Sequence, residues 1–476
     1  MSEQLSIRSD FAHLIDGQLV RSERSIEVIN PATGRVFARA PDASRAQLDE
    51  AVAAARRAFA AWSRNSYEER ATLLRRLGET LRAHQESLAE LLTREQGKPL
   101  QQARDEIGRA FSQSEGMTRI AIEPEVLVED AARRIELHYH PLGVVGIITP
   151  WNAPINLAAG PVTSALYTGN TVVLKPSPHT PLSTLKLGEL AREVFPAGVL
   201  NVLCGGDEFG AWMTAHPGLD KISFTGSVET GKKVMASAAG TLKRVTLELG
   251  GNDAAIVLDD VDVATVAPKL FFAAFVNSGQ VCMAIKRIYV HERIYAELAA
   301  ALAAEARKVR LGDGLDPNTT MGPLQNREQY EKVLAILDDT RRRGARILAG
   351  GTVPDGPGYF ISPTVVTDIA EDSRLVSEEQ FGPILPILKF SDVDDAVRRA
   401  NDTRYGLSGS VWSSDEQRAA AIASRLEVGT AWVNQHRATA ANVPFGGAKE
   451  SGIGRQYSAL GLKGYLEPRV VSILKT

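Results

Sequence analysis

The residue best suited to do chemistry is Cys282, which lies in FVNSGQVCMA (275–284), after a helical pattern and before the apolar stretch RIYV. A cysteine in a polar, glycine-containing turn can be exposed, and nearby backbone N–H groups can favour its thiolate. The spacing alone is equally compatible with a buried structural cysteine. Cys204, inside the apolar run VLNVLCGG (199–206), is expected in the core. These two cysteines have no metal-ligand spacing, and we expect no metal site.

Two polar residues stand where apolar strand patterns end. Glu248 lies between two leucines in TLELGG (246–251), and a carboxylate is costly to bury there unless it is paired or functional. Asn152 follows an apolar run in ITPWNAP (148–154), where its amide could donate to an oxyanion. Taken alone, a strand-end salt bridge would explain Glu248, and a local turn hydrogen bond would explain Asn152.

A further segment, FTGSVETG (224–231), is a glycine-containing turn from a strand into a helix. Helix N-termini attract anions such as phosphate, but this turn lacks the GxGxxG spacing and is weak evidence by itself. Lys175 ends the strand pattern TVVLK, at the side of an open α/β sheet where ligands bind. An isolated lysine at such a place is usually solvated.

Short apolar strands that alternate with helices must position these residues. The strand patterns lie at 142–149, 171–175, 199–203, 221–226, 254–258 and 287–290, and the helical ones near 182–194, 207–215, 262–276 and 293–308. This alternation predicts parallel βαβ units in two α/β domains. Before them, helical periodicity covers 42–62 and one stretch from 68 to about 96, and 133–140 alternates like an exposed strand.

Composition excludes several classes of protein. The 476 residues carry 54 basic and 57 acidic side chains, for a net charge of −3, and both signs are interspersed. Nucleic acid and acidic membrane surfaces are therefore not expected partners. No apolar run approaches the roughly 18 residues of a membrane span, and the first residues lack a leader pattern, so we expect a cytoplasmic protein.

The motifs gain specificity from their order: ITPWN, VLKPSP, FTGS, ELGG, FxNxGQxC, EEQFGP and PFGGxKxSGxGR. In this order they resemble the NAD(P)-dependent aldehyde dehydrogenase family, over nearly the whole chain from HLIDGQ (13–18) through EQGKPL (95–100) to GRQYSALGLKGYLEP (454–468). The resemblance implies an α/β fold with a Rossmann-like cofactor-binding domain, an α/β catalytic domain and a small β oligomerisation extension. The implied parts are 1–119 and 141–247 for the cofactor domain, 120–140 for the oligomerisation strands, 248–432 for the catalytic domain, and 433–476 for a return to the cofactor domain and an oligomerisation tail.

The resemblance also implies roles for single residues. Cys282 would attack the aldehyde, Asn152 would hold the oxyanion, and Glu248 would activate the water that hydrolyses the thioester. NAD or NADP would be bound by a larger set: Lys175, Trp151, Gly226, Ser227, Gly231, Gly250, Glu379 and Phe381. A homodimer or homotetramer is implied, with an aldehyde as the small-molecule substrate.

Some positions depart from the family pattern. Pro178 replaces a glutamate that many members carry near the adenosine ribose, so NADP could be accepted. Ala153 and Gly160 stand where larger aromatic residues are common, which suggests a wider substrate tunnel. Pro161 and Gln456 replace a lysine and a glutamate that form a proton path with the general base in many members.

Other functions remain to be weighed against this one. The alternatives are a coenzyme-A-acylating dehydrogenase, a catalytically silent relative, and a cysteine hydrolase that pairs Cys282 with His436. The natural aldehyde stays open, because Phe445 favours an apolar or aromatic substrate while Arg437 is compatible with an acidic one.

Overall fold

The computed structural model describes residues 10–475. The first part of the chain contains short strands, four helices and two longer strands: β1 (His13–Ile15), β2 (Gln18–Val20), β3 (Arg24–Asn30), β4 (Arg35–Asp42), α1 (Arg45–Trp62), α2 (Tyr67–Ala83), α3 (Gln85–Gln96), α4 (Leu100–Met117), β5 (Glu125–Glu129) and β6 (Arg133–Pro141). Strands β1–β4 were not expected from the sequence. They are short, and β2 and β3 are largely exposed, so their apolar patterns are weak.

Capping side chains fix where α1 and α2 begin. Ser44 and Gln47 form a reciprocal capping box at the start of α1, and Ser66 and Glu69 form another at α2. The prediction of one helical stretch from 68 to about 96 is wrong, because the backbone leaves helical geometry at His84. The ring Nδ1 of His84 lies 2.9 Å from the carbonyl of Thr80, four residues earlier, and so takes the place of the backbone N–H that would continue the helix.

The first set of βαβ units predicted from the alternating pattern is a parallel sheet with covering helices. Its elements are β7 (Val144–Ile148), α5 (Pro154–Tyr167), β8 (Thr171–Lys175), α6 (Leu182–Ala191), β9 (Leu200–Val202), α7 (Asp207–Ala215), β10 (Lys221–Thr225), α8 (Val228–Ala239) and β11 (Arg244–Glu248). Strands β9, β8, β7, β10 and β11 are parallel neighbours in that order. Every residue of β7, β8 and β10 is buried, which explains their continuous apolar runs.

A second sheet follows in the chain. Its elements are β12 (Asp253–Val257), α9 (Val263–Phe275), a 3-10 turn (Val276–Gly279), β13 (Ile285–His291), α10 (Tyr295–Lys308), α11 (Arg327–Arg342), β14 (Arg346–Ala349), β15 (Thr364–Thr367), α12 (Arg374–Ser377), β16 (Ile384–Phe390), α13 (Val393–Asn401), β17 (Tyr405–Gly406), β18 (Ser408–Trp412), α14 (Glu416–Ala423) and β19 (Thr430–Val433). The strand order is β14-β15-β16-β13-β12-β18-β19, with only the β14–β15 pair antiparallel. The expected α/β fold class is therefore confirmed.

The C-terminal segment returns to the first sheet. It contains β20 (Ala448–Lys449), β21 (Gly452–Ile453), α15 (Ser458–Lys463) and β22 (Leu466–Leu474). Strand β21 pairs with β11 beside Glu248, and β22 pairs along its length with β6 to form the three-stranded sheet β22-β6-β5. Within residues 10–475, no helix has the length and apolar character needed to cross a membrane.

Candidate active site

The carboxyl ends of the parallel strands bring the predicted residues of the first sheet together. Trp151 and Asn152 follow β7, Gly226 and Ser227 follow β10, and Glu248 ends β11. These three strands are adjacent, so their carboxyl ends meet at one edge of the sheet. All five residues line a cavity of about 490 Å³, and Cys282 lines it from the second sheet.

The Cys282 turn has an unusual backbone. Asn277, Ser278 and Gly279 all have left-handed φ angles, of 53°, 57° and 73°. Such strain persists only where surrounding contacts fix it, and it is common at functional sites. Lys286, itself buried, donates from Nζ to the carbonyl oxygens of Val281 and Cys282 and so fixes the end of the turn.

The thiol in this turn is not the ready thiolate that the sequence suggested. Burial raises the pKa of Cys282 to about 12, although the cation of Lys286 acts in the opposite direction. The backbone N–H groups of the turn do not outweigh this desolvation. Cys282 is therefore a protonated thiol at neutral pH until its surroundings change.

Glu248 is the most isolated charged group of the site. It is buried, and neither carboxylate oxygen has a hydrogen-bond partner among residues 10–475. Burial raises the pKa of this carboxyl well above its usual range, with Arg455 as a weaker opposing influence. A side chain at Gly446 would bring a Cβ within 2.9 Å of Oε1, so a glycine keeps this space open. Such a carboxyl, protonated or poised to take a proton, is typical of an acid–base group.

Asn152 is held from both sides. Its side-chain Nδ2 donates to the carbonyl of Gln280 at 2.9 Å, and its own carbonyl accepts from Lys98 Nζ at 3.0 Å and from Asn277 Nδ2 at 2.9 Å. An amide nitrogen carries two hydrogens, so one remains for a group in the cavity. These contacts also tie β7 of the first sheet to the Cys282 turn of the second.

Buried acids beneath the site were missed by the sequence analysis. Glu106 pairs with Lys98 and accepts from the backbone N–H groups of Ile155 and Asn156 at the start of α5. Glu95 accepts from the first N–H groups of α6 and from a serine hydroxyl, yet burial still raises its pKa to about 7. The available signal was Glu106 on the apolar face of α4, where a charge needs a partner.

The opposite end of the cavity is suited to a nucleotide. Ser227 caps α8 by accepting from the Thr230 N–H, so the other N–H groups of the first turn face outward. Glu379 accepts from the Gly251 N–H at 3.0 Å, and a Cβ at Gly250 would lie 2.2 Å from its carboxylate. Phe381, at a left-handed φ of 48°, meets the Trp151 ring edge-to-face at 5.4 Å.

Comparison with known proteins now identifies the chain. A sequence profile described as the aldehyde dehydrogenase family matches residues 19–471. The chain belongs to the aldehyde dehydrogenase family. A Pseudomonas protein described as a probable aldehyde dehydrogenase is 42% identical over 465 residues, which span 96% of this chain and 93% of the relative. A Sinorhizobium fredii protein described as a probable succinate-semialdehyde dehydrogenase [NADP(+)] is 39% identical over 94% of this chain and 92% of its own length.

The fold is shared with solved members of the family. The structure of betaine aldehyde dehydrogenase from Staphylococcus aureus in complex with NAD+ matches with a TM-score of 0.94 and 34% identity, over 97% of this chain and 95% of that one. The family and the enzyme class expected from the motifs are thus confirmed. The chain is an aldehyde dehydrogenase by family, with the site described above at the junction of its two large sheets.

Two residues that the family resemblance assigns to the cofactor lie outside the lining of the cavity. Lys175 is buried, and its Nζ lies 3.3 Å from the carbonyl of Pro176, with burial lowering its pKa. Gly231 lies in the first turn of α8, where a Cβ would come within 2.6 Å of Leu249. Gly231 therefore lets helix α8 pack closely against the residue that follows strand β11. The close approach that this glycine permits is between two parts of the protein.

In this family member, His436 is not placed to serve Cys282. Its Nε2 lies 3.1 Å from the Met283 carbonyl and its Nδ1 lies 2.9 Å from the Ser410 hydroxyl, so both ring nitrogens are engaged. Burial lowers the pKa of His436 to about 3, which keeps the ring neutral. A cysteine hydrolase that pairs Cys282 with His436 would therefore have no general base. Cys204 is fully buried, as expected.

Two of the departures from the family pattern, Gly160 and Gln456, lie beside Tyr457. A Cβ added at Gly160 would lie 3.5 Å from the Tyr457 ring, so this ring borders the space that a small residue leaves. Pro161 lies inside α5, and Gln456 is buried and pairs through its backbone with Phe445. An aromatic side chain from the C-terminal segment thus lies beside Gly160, and the wider substrate tunnel stays a prediction.

Proposed function

We propose that the protein oxidises an aldehyde to a carboxylic acid, with NAD+ or NADP+ as the hydride acceptor, through a thioester on Cys282. The observation that carries the proposal is the convergence of Cys282, Asn152 and Glu248 on one cavity, with Glu248 left without any hydrogen-bond partner in the described chain. An unpartnered buried carboxylate is costly, and function is the usual reason for it.

In the first half of the reaction, the Cys282 thiol loses its proton and its sulfur attacks the aldehyde carbon. The carbonyl oxygen becomes an oxyanion, to which Asn152 donates with its remaining amide hydrogen. Its fixed position matters, because donors that are already oriented stabilise developing charge without reorganisation. The contacts of Asn152 with Gln280, Lys98 and Asn277 support such an orientation.

In the second half, Glu248 takes a proton from water, and the resulting hydroxide equivalent attacks the thioester. The carboxylic acid forms as Cys282 leaves with its sulfur electrons. A raised pKa makes Glu248 a stronger base once it is deprotonated, and its position in the lining of the cavity supports its access to a water molecule there. Retention of this base favours water over coenzyme A as the acyl acceptor.

The residues present fit a nicotinamide dinucleotide. When bound, NAD+ or NADP+ supplies the hydride acceptor for oxidation of the tetrahedral adduct. Gly226 and Ser227 would present the N-terminus of α8 to the pyrophosphate, and Glu379 would accept from ribose hydroxyls. Trp151 and Phe381 border the nicotinamide end. The cavity volume of about 490 Å³ is typical of a small-molecule site.

The choice between NAD and NADP depends on the segment after Lys175. Pro178 offers no carboxylate to repel a 2′-phosphate, and Lys175 has no ion-pair partner among residues 10–475. We therefore expect NADP to be accepted measurably. Pro178→Glu should raise the KM for NADP far more than the KM for NAD. A wild-type enzyme that already rejects NADP strongly would contradict this.

We expect the oligomer to form through β5, β6 and β22. This sheet exposes apolar side chains, among them Val126, Leu127, Val470 and Leu474. A sheet that leaves apolar side chains exposed favours association with a second copy. Dimer against tetramer, and the expected cytoplasmic location, stay predictions that sedimentation and cell fractionation can test.

The test of the proposal is a nicotinamide-absorbance assay with an aldehyde panel and both cofactors. Cys282→Ala should abolish oxidation while cofactor binding stays close to wild type, because the thiol forms the covalent bond but does not hold the dinucleotide. The matched control is Cys204→Ala, which should keep turnover. Activity in Cys282→Ala, or loss of activity only in the control, would overturn the assignment.

A further inference from the structure

One face of helix α4 is directed at the active site. Gln102, Glu106 and Gln113 recur on it at intervals of four and seven residues, which places them on one side of the helix. Gln102 accepts from the Asn277 N–H at 3.1 Å, Glu106 holds Lys98, and Gln113 donates to Thr439 at 3.0 Å. Arg109 lies on this same face, between Glu106 and Gln113. Its side chain is therefore directed toward the segment that contains Thr439.

The segment that contains Thr439 also contains a second arginine, Arg437, on the side that faces Arg109. Arg437 follows β19 at a left-handed φ of 66°, next to His436, whose ring is fixed on the Met283 carbonyl. The Arg437 guanidinium lies 5.8 Å from the centre of the exposed Phe272 ring. Its Nε is buried and has no hydrogen-bond partner in the described part of the chain. The side chain thus reaches from the surface toward the Cys282 turn.

The charges of this region are unbalanced. Burial, with a smaller contribution from the charge of Arg109, lowers the pKa of Arg437 to about 10, and Cys282 acts in the opposite direction. Arg437 therefore stays charged at neutral pH, and Arg109 is close enough to influence it. Within residues 10–475, neither forms an ion pair with a carboxylate, whereas nearby Lys98 has Glu106. Two cations together without a counter-ion are unfavourable unless an anion joins them.

We propose that Arg109 and Arg437 form an anion subsite on the substrate side of Cys282, and that the natural aldehyde carries a carboxylate at its other end. This rests on the proposed function, since the subsite matters only if Cys282 attacks an aldehyde. Guanidinium groups bind carboxylates through two parallel charge-assisted hydrogen bonds, which would satisfy the orphaned Nε of Arg437. The same charges repel a cationic substrate such as betaine aldehyde.

The test compares aldehydes that differ only in the group at the end of the chain opposite the aldehyde. Linear aldehydes of three to six carbons with a terminal carboxylate are measured against unsubstituted aldehydes of the same length, with betaine aldehyde as the cationic probe. The wild type should have the higher kcat/KM for a carboxylated member of at least one length. In Arg437→Gln and in Arg109→Gln, the carboxylated-to-neutral ratio should fall by about 10- to 100-fold, the usual contribution of a charged hydrogen bond.

Further variants separate charge from structure. Arg437→Lys should keep part of the preference, and Arg437→Glu should shift it toward betaine aldehyde. The matched control is Arg64→Gln, because Arg64 is exposed and lies two residues after Trp62, which donates to the Leu166 carbonyl at the far end of α5, about 20 Å from the site by helix length. It should leave both kcat/KM values unchanged. Circular dichroism and thermal unfolding identify any variant that fails to fold.

The outcomes distinguish this inference from the function it rests on. A wild type that prefers neutral aldehydes at every length, or arginine variants that keep the wild-type ratio, would overturn the anion subsite while leaving aldehyde oxidation intact. A wild type that oxidises neither series with either cofactor would instead overturn the proposed function. A terminal sulfonate that matches the carboxylate would support the subsite as one for anions in general.

Discussion

Two buried charged regions meet at the active site, and they differ in how their polar atoms are satisfied. In the support beneath the site, Glu106 accepts from Lys98 and from two backbone N–H groups, and Lys98 also donates to Asn152. In the proposed reactive centre, both oxygens of Glu248 lack partners among the described residues, and Cys282 is a half-buried thiol whose pKa is raised by desolvation.

The difference separates residues that hold the site in place from residues that are proposed to take part in the reaction. A satisfied buried pair is rigid, and removing one member leaves an uncompensated charge. A buried acid without hydrogen-bond partners contributes little to stability, but it can take up and release a proton during a reaction. Substitutions in the support should therefore reduce stability first, and those in the reactive centre should reduce turnover first.

After Cys282, the largest effect on turnover is expected at Glu248. Glu248→Gln should slow steady-state turnover by about 10²–10⁴-fold, the range for loss of a general base, because thioester hydrolysis loses its proton acceptor. Thermal unfolding should stay close to wild type, since no hydrogen bond is lost. The measurement is rapid-mixing kinetics, in which a first burst of reduced cofactor should survive. Unimpaired hydrolysis of the acyl-enzyme would contradict the role.

The support should respond in the opposite way. Glu106→Ala should lower the free energy of unfolding by about 3–5 kcal/mol, because Lys98 is left buried without a counter-charge. The double variant Lys98→Met with Glu106→Leu should recover much of the loss. Chemical unfolding followed by tryptophan fluorescence measures both. A single variant as stable as wild type would mean that the pair is not a structural support.

Asn152 joins the two regions, and its substitution should reduce turnover more than it reduces stability. Asn152→Ala should lower kcat by about 10²–10³-fold through loss of an oxyanion donor, with a small change in cofactor affinity. Its backbone carbonyl still accepts from Lys98 and Asn277, so the fold should survive. Full kcat in this variant would show that the remaining oxyanion donors suffice.

The smallest effect concerns the protonation of the free enzyme. Because burial raises the pKa of Cys282 to about 12, the thiol is protonated at neutral pH and its thiolate fraction rises with pH. Alkylation of Cys282 by iodoacetamide should therefore accelerate about tenfold per pH unit between pH 7 and 10. Cys282→Ser is the control, since Cys204 is fully buried. A rate that is already constant near pH 7 would contradict this.

Much of the architecture and of the site could be predicted from short segments of sequence. The strands TVVLK and KISFT lie within a residue of their expected bounds, because continuous apolar runs are needed by strands that are buried on both faces. The cavity also brings together Cys282, Glu248 and Asn152, as their motifs implied. Local patterns were weakest for β1–β4 and for the break at His84, which depends on a side-chain hydrogen bond.

The sequence by itself determined which elements form, and it named the residues that can react, because periodicity and turn chemistry are properties of neighbouring residues. Only the tertiary structure decided the protonation and the hydrogen bonding of these residues. Desolvation made Cys282 a thiol and left Glu248 unpartnered, and folding placed Arg109 opposite a segment of the chain far from it in sequence. Burial and charge pairing depend on which distant segments meet, so they appear only when the two sheets are assembled around one cavity.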